Sequence, residues 1–423
     1  MRNDRPCLVV ADSAGKIFGY PPLEPAGMKA GAFFVLEPDK LVKLPAGSQL
    51  FRLPRRMPVG GDPQTGRFVV LRGALAVAAF AAPGYTLTYN AAYTADASAK
   101  PLPLFAYGAL ASYKGEFYTT AVRVDRDSRH DSTLIDTVKV RKNIKRFKKL
   151  FTRNRLVRHL AGCAILHGCP NAQNFFLQRY EAPLPVSPLC NAACAGCISY
   201  QKGAIRCSQP RIKFVPTPEE ITEIALFHIE KAKHPIVSFG QGCEGEPLLQ
   251  GDTIKTAISM IRKTTRKGRI NINTNGSLPK VLAGLFDAGL DTVRVSLNSA
   301  RERYYSAYYL PRNYSFKDVM ASIRTAKAKG GFVSLNYLTM PGFTDSREEV
   351  RSLEALIARL HVDMIQWRNL NYDPLLYFKK LRIDKFENTG LMGIAEELSY
   401  LKRLFPKLRM GYFNPHAVVS RHQ

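Results

Sequence analysis

The sequence predicts an α/β protein built around a partial (β/α)6 barrel, which is incomplete compared with the eight units of a TIM barrel. Two observations lead to this fold class. Short apolar segments alternate with amphipathic helical segments over residues 183–372, and several of the helical segments begin or end at capping residues. Strands that alternate with helices in this way pair in parallel through right-handed crossovers.

The barrel is predicted to contain six strands. We place them at residues 183–186, 235–240, 270–275, 292–297, 332–339 and 364–367. The intervening helices are predicted at residues 217–233, 252–267, 278–288, 316–329 and 346–360. Thr217 and Glu220 have the spacing of a capping box at a helix start, and Gly289 is a typical helix stop.

The segments on either side of the barrel differ from it in composition. Residues 1–135 are rich in Gly, Pro and short apolar runs, which predicts an α+β or β-rich N-terminal domain of unknown role with strands at 66–71, 86–90 and 117–124. Residues 136–182 are predicted to form a basic helical connector. Residues 373–423 are predicted to form a short helical C-terminal extension of about two helices, one of them at 389–405.

Composition excludes several classes of protein. The hydrophobic fraction of 46% and the aromatic fraction of 10% exclude an intrinsically disordered chain. The longest near-uniform apolar run, residues 74–82, is too short to cross a bilayer and is followed by Pro83. The first residues lack the apolar segment of a signal peptide. We therefore expect a cytoplasmic protein with no transmembrane segment, whose 8 cysteines stay reduced.

Three cysteines, Cys190, Cys194 and Cys197, fall within eight positions. On a loop, this spacing lets three thiolates converge on one metal centre, and thiolates suit iron–sulfur clusters or zinc. We favour an iron–sulfur centre with an open coordination site, because structural zinc normally takes four protein ligands. A zinc site completed by Cys207 or a histidine, and three ordinary core cysteines, are the alternatives.

The pattern C-x3-C-x2-C after the first strand of a partial barrel resembles the radical S-adenosylmethionine (SAM) superfamily, and the resemblance covers residues 183–372. It implies that Cys190, Cys194 and Cys197 bind three irons of a [4Fe–4S] cluster and that SAM chelates the fourth iron. It also implies an enzyme that takes one electron from a flavodoxin- or ferredoxin-like donor and cleaves SAM to methionine and a 5′-deoxyadenosyl radical. That radical would abstract hydrogen from an unidentified substrate.

Further segments resemble the parts of this family that bind SAM. Residues 242–248 resemble its Gly-Gly-Glu-Pro segment, residues 273–276 its Thr-Asn-Gly turn, and residues 295–299 a strand end that carries polar contacts. The residues that the resemblance assigns to SAM binding are Gly245, Glu246, Asn275, Ser296, Asn298 and Asn336. Taken singly, each has an ordinary alternative as a turn residue or a polar strand residue.

One position departs from the family pattern. Gly196 precedes the last cysteine of the triad, where the family commonly has an aromatic residue near the adenine. We therefore expect the adenine contact to come from another residue, such as Ile198 or Tyr200.

Charge bears on the substrate. The chain has 61 Lys+Arg against 34 Asp+Glu, a formal net charge of +27. Residues 139–158 contain ten basic residues and no acidic one, with apolar residues at helical spacing. Such a stripe attracts phosphates, which favours RNA or another polyanion as substrate or partner. A solvated helix, an acidic protein and an anionic membrane surface are the alternatives.

Several interpretations stay open at the level of sequence. The reaction could be RNA modification, peptide or protein modification, or small-molecule or cofactor biosynthesis. Outside the enzyme class, a non-enzymatic iron–sulfur protein for electron transfer or redox sensing is the alternative. Cys163 and Cys169 could assist a second cluster, although such cysteines usually belong to the core. Trp367, Arg368 and Asn369 follow the sixth strand and could contact substrate, with core packing of the Trp as the alternative.

Overall fold

The computed structural model describes residues 5–203, 205–383 and 390–416. These residues form an antiparallel β-region, a group of three helices and a curled parallel sheet covered by helices. None of the helices described is both long enough and apolar enough to cross a bilayer.

The N-terminal β-region contains short strands that pair antiparallel, with β1 at the centre of its largest sheet. The strands are β1 (Cys7–Ala11), β2 (Ile17–Tyr20), β3 (Ala26–Lys29), β4 (Ala32–Val35), β5 (Val42–Lys43), β6 (Gln49–Arg52), β7 (Arg56–Gly61), β8 (Phe68–Val70), β9 (Leu75–Phe80), β10 (Tyr85–Leu87), β11 (Asn90–Ala91), β12 (Tyr93–Ala95), β13 (Leu110–Tyr113), β14 (Glu116–Thr119) and β15 (Ala121–Arg123). No α-helix occurs among described residues 5–136, so the region is β-rich rather than α+β.

The strand predicted at 117–124 is in fact two strands. β14 pairs with β13 and β5, whereas β15 pairs with β10 in a different sheet. The chain changes sheets at Thr120, which is buried between the two strands. An apolar run alone cannot reveal such a change of partner.

Three helices connect the β-region to the barrel: α1 (Thr137–Leu150), α2 (Arg155–Leu166) and α3 (Pro170–Phe176). The first buries Val140, Ile144 and Phe147, which lie on one face at helical spacing. Asp136 and Asn154 cap the first two helices through their side-chain oxygens. The segment is helical, as its sequence predicts.

The parallel sheet has the order β16-β17-β18-β19-β20-β21-β22. Its strands are β16 (Glu181–Pro183), β17 (Ile236–Phe239), β18 (Arg269–Thr274), β19 (Thr292–Leu297), β20 (Phe332–Thr339), β21 (Met364–Asn369) and β22 (Arg409–Gly411). The helices are α4 (Pro218–Lys231), α5 (Gly251–Thr264), α6 (Pro279–Ala288), α7 (Glu302–Tyr309), α8 (Phe316–Ala328), α9 (Arg347–Leu360), α10 (Pro374–Leu381) and α11 (Ile394–Leu404). The capping box of Thr217 and Glu220 is present, and Gly289 ends α6 at a φ of 113°.

Five of the six predicted barrel strands are confirmed, the first lies at Glu181–Pro183 rather than at 183–186, and the C-terminal extension adds a seventh. α10 and α11 are the two helices expected there; Thr389, the predicted start of the second, lies outside the described residues. β22 was not predicted, because a three-residue strand of sequence Arg-Met-Gly has no apolar periodicity. It pairs in parallel with β21.

The lumen of the barrel is polar and its outer face is apolar. The strand register sets Asn273 beside Arg294, and Ser296 beside Asn336, so these side chains share one face of the sheet. Residues on the opposite face, such as Val295, are fully buried beneath the helices. A lumen of this kind can bind a polar ligand.

The β-region packs against the barrel loops at the carboxyl ends of β20 and β21. Asn369 accepts a hydrogen bond from Leu87 N (2.8 Å) and donates one to Tyr85 O (2.9 Å). Lys29 forms a buried ion pair with Asp345 (3.1 Å). This edge of a parallel barrel is where active sites occur, so the N-terminal region helps to enclose the site.

Candidate active site

The three clustered cysteines lie on the loop that follows β16, which we call the cysteine loop (residues 184–200). Their thiols are free and half-buried. Ala193 N donates to Tyr309 O (3.0 Å) and Ala195 N donates to Tyr308 O (3.0 Å), so the loop is held by the end of α7. The sheet order places this loop at the carboxyl edge of the barrel.

The electrostatic surroundings of the thiols fit a bound cationic group. Burial raises the pKa of Cys190 to about 11, and the Glu246 carboxylate adds to the shift. Burial also raises the pKa of Cys194, with contributions from Cys197 and Cys190. Arg211 Nη2 donates to Cys197 Sγ (3.5 Å). A bound metal centre would favour the thiolate over the thiol at these positions, and an iron–sulfur cluster would supply that positive charge.

Gly245 brings two backbone segments together. A Cβ on this residue would lie 1.9 Å from Leu189 O and 3.1 Å from Cys190 N. Gly245 N donates to Ser187 O (2.6 Å), and Glu246 N donates to Leu189 O (2.8 Å). Because Gly245 has no side chain, the backbone of the cysteine loop can pack directly against it, and this contact positions Cys190.

Glu246, the predicted SAM ligand, is buried with both carboxylate oxygens in hydrogen bonds. It accepts from Leu248 N (3.0 Å), from Asn275 N (2.8 Å) and from the Thr274 hydroxyl. Burial raises its pKa to about 7, against the lowering effect of these donors. A carboxylate has about four acceptor sites, so one remains for a ligand ammonium group.

Asn275 lies beside the cysteine loop. Its Nδ2 donates to Asn191 Oδ1 (2.8 Å), and Asn191 Nδ2 donates to Ser277 Oγ (2.9 Å). Its own Oδ1 accepts from Ser277 N (2.9 Å). The structure therefore brings Gly245, Glu246 and Asn275 together around the first cysteine of the triad.

The other three predicted SAM-binding residues divide into two places. Ser296 and Asn336 are neighbours on the lumen face, with 3.5 Å between Asn336 Nδ2 and Ser296 Oγ. Asn298 instead is fully buried and donates to Tyr304 O (3.2 Å) and to the Tyr377 hydroxyl (3.1 Å). Its Oδ1 has no partner among the described residues. Asn298 is thus placed among the helices rather than beside Ser296.

The glycine that departs from the family pattern has an aromatic neighbour. A Cβ on Gly196 would lie 2.6 Å from the Tyr308 hydroxyl and 3.2 Å from Asn371 O, so a larger residue would not fit. Tyr308 thereby brings an aromatic ring from α7 to the cysteine loop. Of the two expected adenine contacts, Ile198 faces a cavity in the lumen and Tyr200 is exposed.

Glu244 is a residue of this site that the sequence did not single out. Its carboxylate accepts from Val186 N (2.8 Å), Ser187 N (3.0 Å) and Gln241 N (2.6 Å). Burial raises its pKa to about 7 although these donors lower it. The side chain ties the start of the cysteine loop to the turn after β17. An acid two residues before Glu246 was the only signal in the sequence.

A cavity of about 260 Å³ lies in the lumen, next to the cysteine loop. Arg294 and Arg368 both line it. Arg294 Nη1 donates to Gln366 Oε1 (3.0 Å), while its buried Nε has no partner among the described residues. Burial lowers the pKa of Arg294 to about 10, and the Arg368 cation adds to this effect. The lumen therefore contains two neighbouring cations.

The three residues that were expected to follow the sixth strand lie within β21, and of these only Arg368 lines the cavity. Trp367 is fully buried, packs edge-on against Tyr337 at 5.8 Å and contacts the Met410 sulfur, so the core-packing alternative holds for it. Asn369 bonds to the N-terminal β-region. The pattern of the sequence alone could not distinguish the two faces of this strand.

Comparisons with known proteins concern the barrel. The family model "Radical SAM superfamily" matches residues 184–353. A GTP 3′,8-cyclase of Corynebacterium glutamicum is 32% identical over 165 residues, which are 37% of this chain and 40% of that protein. The dual-specificity RNA methyltransferase RlmN of Buchnera aphidicola is 25% identical over 175 residues, 38% of this chain and 46% of that protein.

Among solved structures, methylornithine synthase (PylB) is 17% identical with a TM-score of 0.39, covering 64% of this chain and 77% of that one. The chain spans less than half the length of the two curated relatives. The family match falls on the segment that carries the cysteine loop, Glu246 and strands β17 to β20. Residues 184–353 therefore form a radical SAM domain, and this match supports an enzyme whose cofactors are a [4Fe–4S] cluster and S-adenosylmethionine.

Proposed function

We propose that this enzyme cleaves SAM reductively and directs the resulting radical at a small anionic substrate bound in the barrel lumen. The observation that carries the substrate class is the pair Arg294 and Arg368 in the lumen cavity. Among the described residues, neither has a carboxylate within ion-pair distance. Both side chains are half-buried, and Glu181, the carboxylate that also lines the cavity, is paired with Arg129, so two cations face the cavity and an anion there would be favoured.

Cys190, Cys194 and Cys197 would hold the cluster. When bound, the cluster supplies one electron to SAM, from which methionine and a 5′-deoxyadenosyl radical form. The chain orients these groups: Gly245 admits the cysteine loop, and the free acceptor site of Glu246 receives the SAM ammonium group. A flavodoxin- or ferredoxin-like protein is the proposed source of the electron.

Asn275, Ser296 and Asn336 are proposed to contact SAM through their amides and hydroxyl, because they lie by the cysteine loop or face the lumen. We assign Asn298 a supporting role: its amide bonds to Tyr377 of α10 and so fixes the end of β19. Only its unpartnered Oδ1 could reach a ligand.

The Arg294 and Arg368 side chains are positioned to bind an anion. Arg294 leaves a buried N–H without a partner, and Arg368 is held by Tyr412 O (2.9 Å) and by stacking on the Tyr412 ring at 4.0 Å. A carboxylate or phosphate would satisfy the orphan donor and offset the repulsion between the two cations. The cavity of about 260 Å³ suits a small molecule.

The radical chemistry is tested by anaerobic reconstitution with iron and sulfide, followed by SAM and dithionite, with 5′-deoxyadenosine as the measured product. Wild type is expected to form it and Cys194→Ser to form none. Cys207→Ser, which changes an exposed thiol, is the matched control and is expected to behave as wild type. Product from Cys194→Ser, or none from wild type, would contradict the assignment of the cluster.

The substrate class is tested with cell extract separated by mass and by anion exchange. The low-mass fraction retained by the anion exchanger is expected to stimulate 5′-deoxyadenosine formation. Arg294→Gln should weaken this stimulation, whereas Arg266→Gln, at an exposed arginine, should not. Stimulation confined to fractions that ribonuclease destroys would contradict a small-molecule substrate.

A polyanion is the second candidate, and it is favoured by the surface of α1 and α2. Nine of the ten basic residues at 139–158 are exposed: Lys139, Arg141, Lys142, Lys145, Arg146, Lys148, Lys149, Arg153 and Arg158. Arg155, the tenth, pairs with Glu220. A salt-dependent gel shift with bulk tRNA and rRNA tests this surface. Binding whose log K falls steeply with log salt supports RNA, whereas no binding at low salt removes it.

A further inference from the structure

We propose that the chain holds a second metal centre, a mononuclear zinc site formed by His159, Cys163 and Cys243. The imidazole and the two thiols offer ligand atoms that all lie within 4.8 Å of one another. Within the described parts of the chain, no other group of three or more His, Cys, Asp or Glu side chains is this compact. The site lies outside the cysteine loop and beyond the function proposed above.

Two elements bring these ligands together. His159 and Cys163 are one turn apart on α2, so they lie on the same face of that helix. Cys243 belongs to the turn after β17, and its carbonyl accepts a hydrogen bond from Ile212 N (2.7 Å). Both cysteines are buried and the histidine is half-buried. The set is held by a helix and a tied turn, which is the preorganisation that a metal site requires.

The spacing matches one ion rather than a cluster. His159 Nε2 lies 3.5 Å from Cys163 Sγ. Around a tetrahedral zinc with Zn–S of about 2.3 Å and Zn–N of about 2.0 Å, sulfur and nitrogen ligands lie about 3.5 Å apart. The thiols of the cysteine loop are spread more widely, as ligands of different irons in one cluster should be. The two triads therefore suit different metals.

The chemistry of the donors agrees with zinc. Thiolate and imidazole together are typical zinc ligands. A bound ion of this kind would take both thiols as thiolates and the neutral imidazole as its third ligand.

The fourth coordination position would face the lumen cavity. Cys163 and Cys243 both line it, as does Cys169, whose thiol is not part of the compact group. Three protein ligands with an open position are typical of zinc that binds a substrate or water, whereas structural zinc is closed by four. The ion would share this cavity with Arg294 and Arg368.

The test uses the full chain with Cys190, Cys194 and Cys197 all changed to Ser, so that metal cannot bind to the cysteine loop. Zinc is measured in the isolated protein by mass spectrometry, and Co²⁺ is titrated anaerobically as a spectroscopic substitute. We expect one zinc per chain, one cobalt per chain, and the thiolate-to-cobalt charge-transfer bands of a tetrahedral site.

Variants in that background assign the ligands. Cys163→Ser and His159→Gln should each abolish the charge-transfer bands, whereas Cys207→Ser should keep them. Circular dichroism of the metal-free variants identifies any that fail to fold; His159→Gln, at a half-buried ring, is the substitution that disturbs the core least. No bound zinc or cobalt, or bands that survive Cys163→Ser, would overturn the proposal.

Iron with inorganic sulfide bound at this triad would also overturn it, in favour of a second cluster. The readouts need neither SAM nor substrate. Failure of the zinc proposal would therefore leave the radical chemistry untouched, and failure of SAM cleavage would leave the zinc site standing.

Discussion

Replacing Gly245 by Ala should dislodge the cysteine loop. The new Cβ would lie 1.9 Å from Leu189 O, and real Cβ contacts below 3.0 Å essentially never occur, so the backbone must move by at least 3.0 − 1.9 = 1.1 Å. Such a shift strains two hydrogen bonds, from Gly245 N to Ser187 O (2.6 Å) and from Glu246 N to Leu189 O (2.8 Å). Each contributes about 1 kcal/mol, so the loss in free energy of unfolding is about 2 kcal/mol or more.

The assay has two parts: iron and sulfide content after anaerobic reconstitution, and the free energy of unfolding from urea denaturation. Gly245→Ala should lower both. Gly284→Ala is the matched control, since nothing lies within 4 Å of its new Cβ inside α6, and it should gain up to about 1 kcal/mol from helix propensity. Wild-type iron content and stability in Gly245→Ala would refute the view that this glycine admits the loop.

Two further predictions concern buried charge. Glu349→Ala should lower the free energy of unfolding in urea by about 3–5 kcal/mol, because it removes the buried partner of Arg301 (2.7 Å). Glu348→Ala is the control: this carboxylate pairs with the same arginine but is 81% exposed, so its loss should cost at most about 1 kcal/mol. Equal losses in the two variants would contradict the prediction. Burial lowers the pKa of His228 to about 4 in the folded protein, whereas the same side chain has a pKa of about 6.5 when the chain is unfolded. As pH falls, His228 is therefore protonated in the unfolded state before it is protonated in the folded state. The free energy of unfolding should therefore fall by up to about 3 kcal/mol between pH 6.5 and pH 4. In His228→Gln it should depend less on pH over this range, and an equally steep dependence in the variant would count against the assignment.

The parallel strands could be predicted because their signals are local. Each barrel strand is a short apolar segment between capping or turn residues, and the Thr217 capping box and the Gly289 stop occur where the sequence places them. β22 escaped prediction because its pairing with β21, rather than its own composition, makes it a strand. The split of the predicted strand at Thr120 depends likewise on partners in two different sheets.

The candidate site was predictable to a similar degree. The triad and the Gly245–Glu246 segment are short motifs whose spacing carries their chemistry. Glu244 was missed because its carboxylate acts by accepting hydrogen bonds from three backbone N–H groups, which only the folded chain brings close to it. The possible contacts of Trp367 and Asn369 with substrate could not be judged, since the face of β21 that each occupies depends on the register with its neighbours.

The sequence by itself indicated the radical SAM motifs, the cofactors that the resemblance implies and the order of the six predicted barrel strands, because these depend on residue spacing along the chain. The tertiary structure decided which distant residues meet. It sets Cys243 beside His159 and Cys163, and Arg294 beside Arg368 in one cavity. Such contacts depend on sheet register and helix packing, which hold residues far apart in the chain within a few ångströms, and no local pattern encodes them.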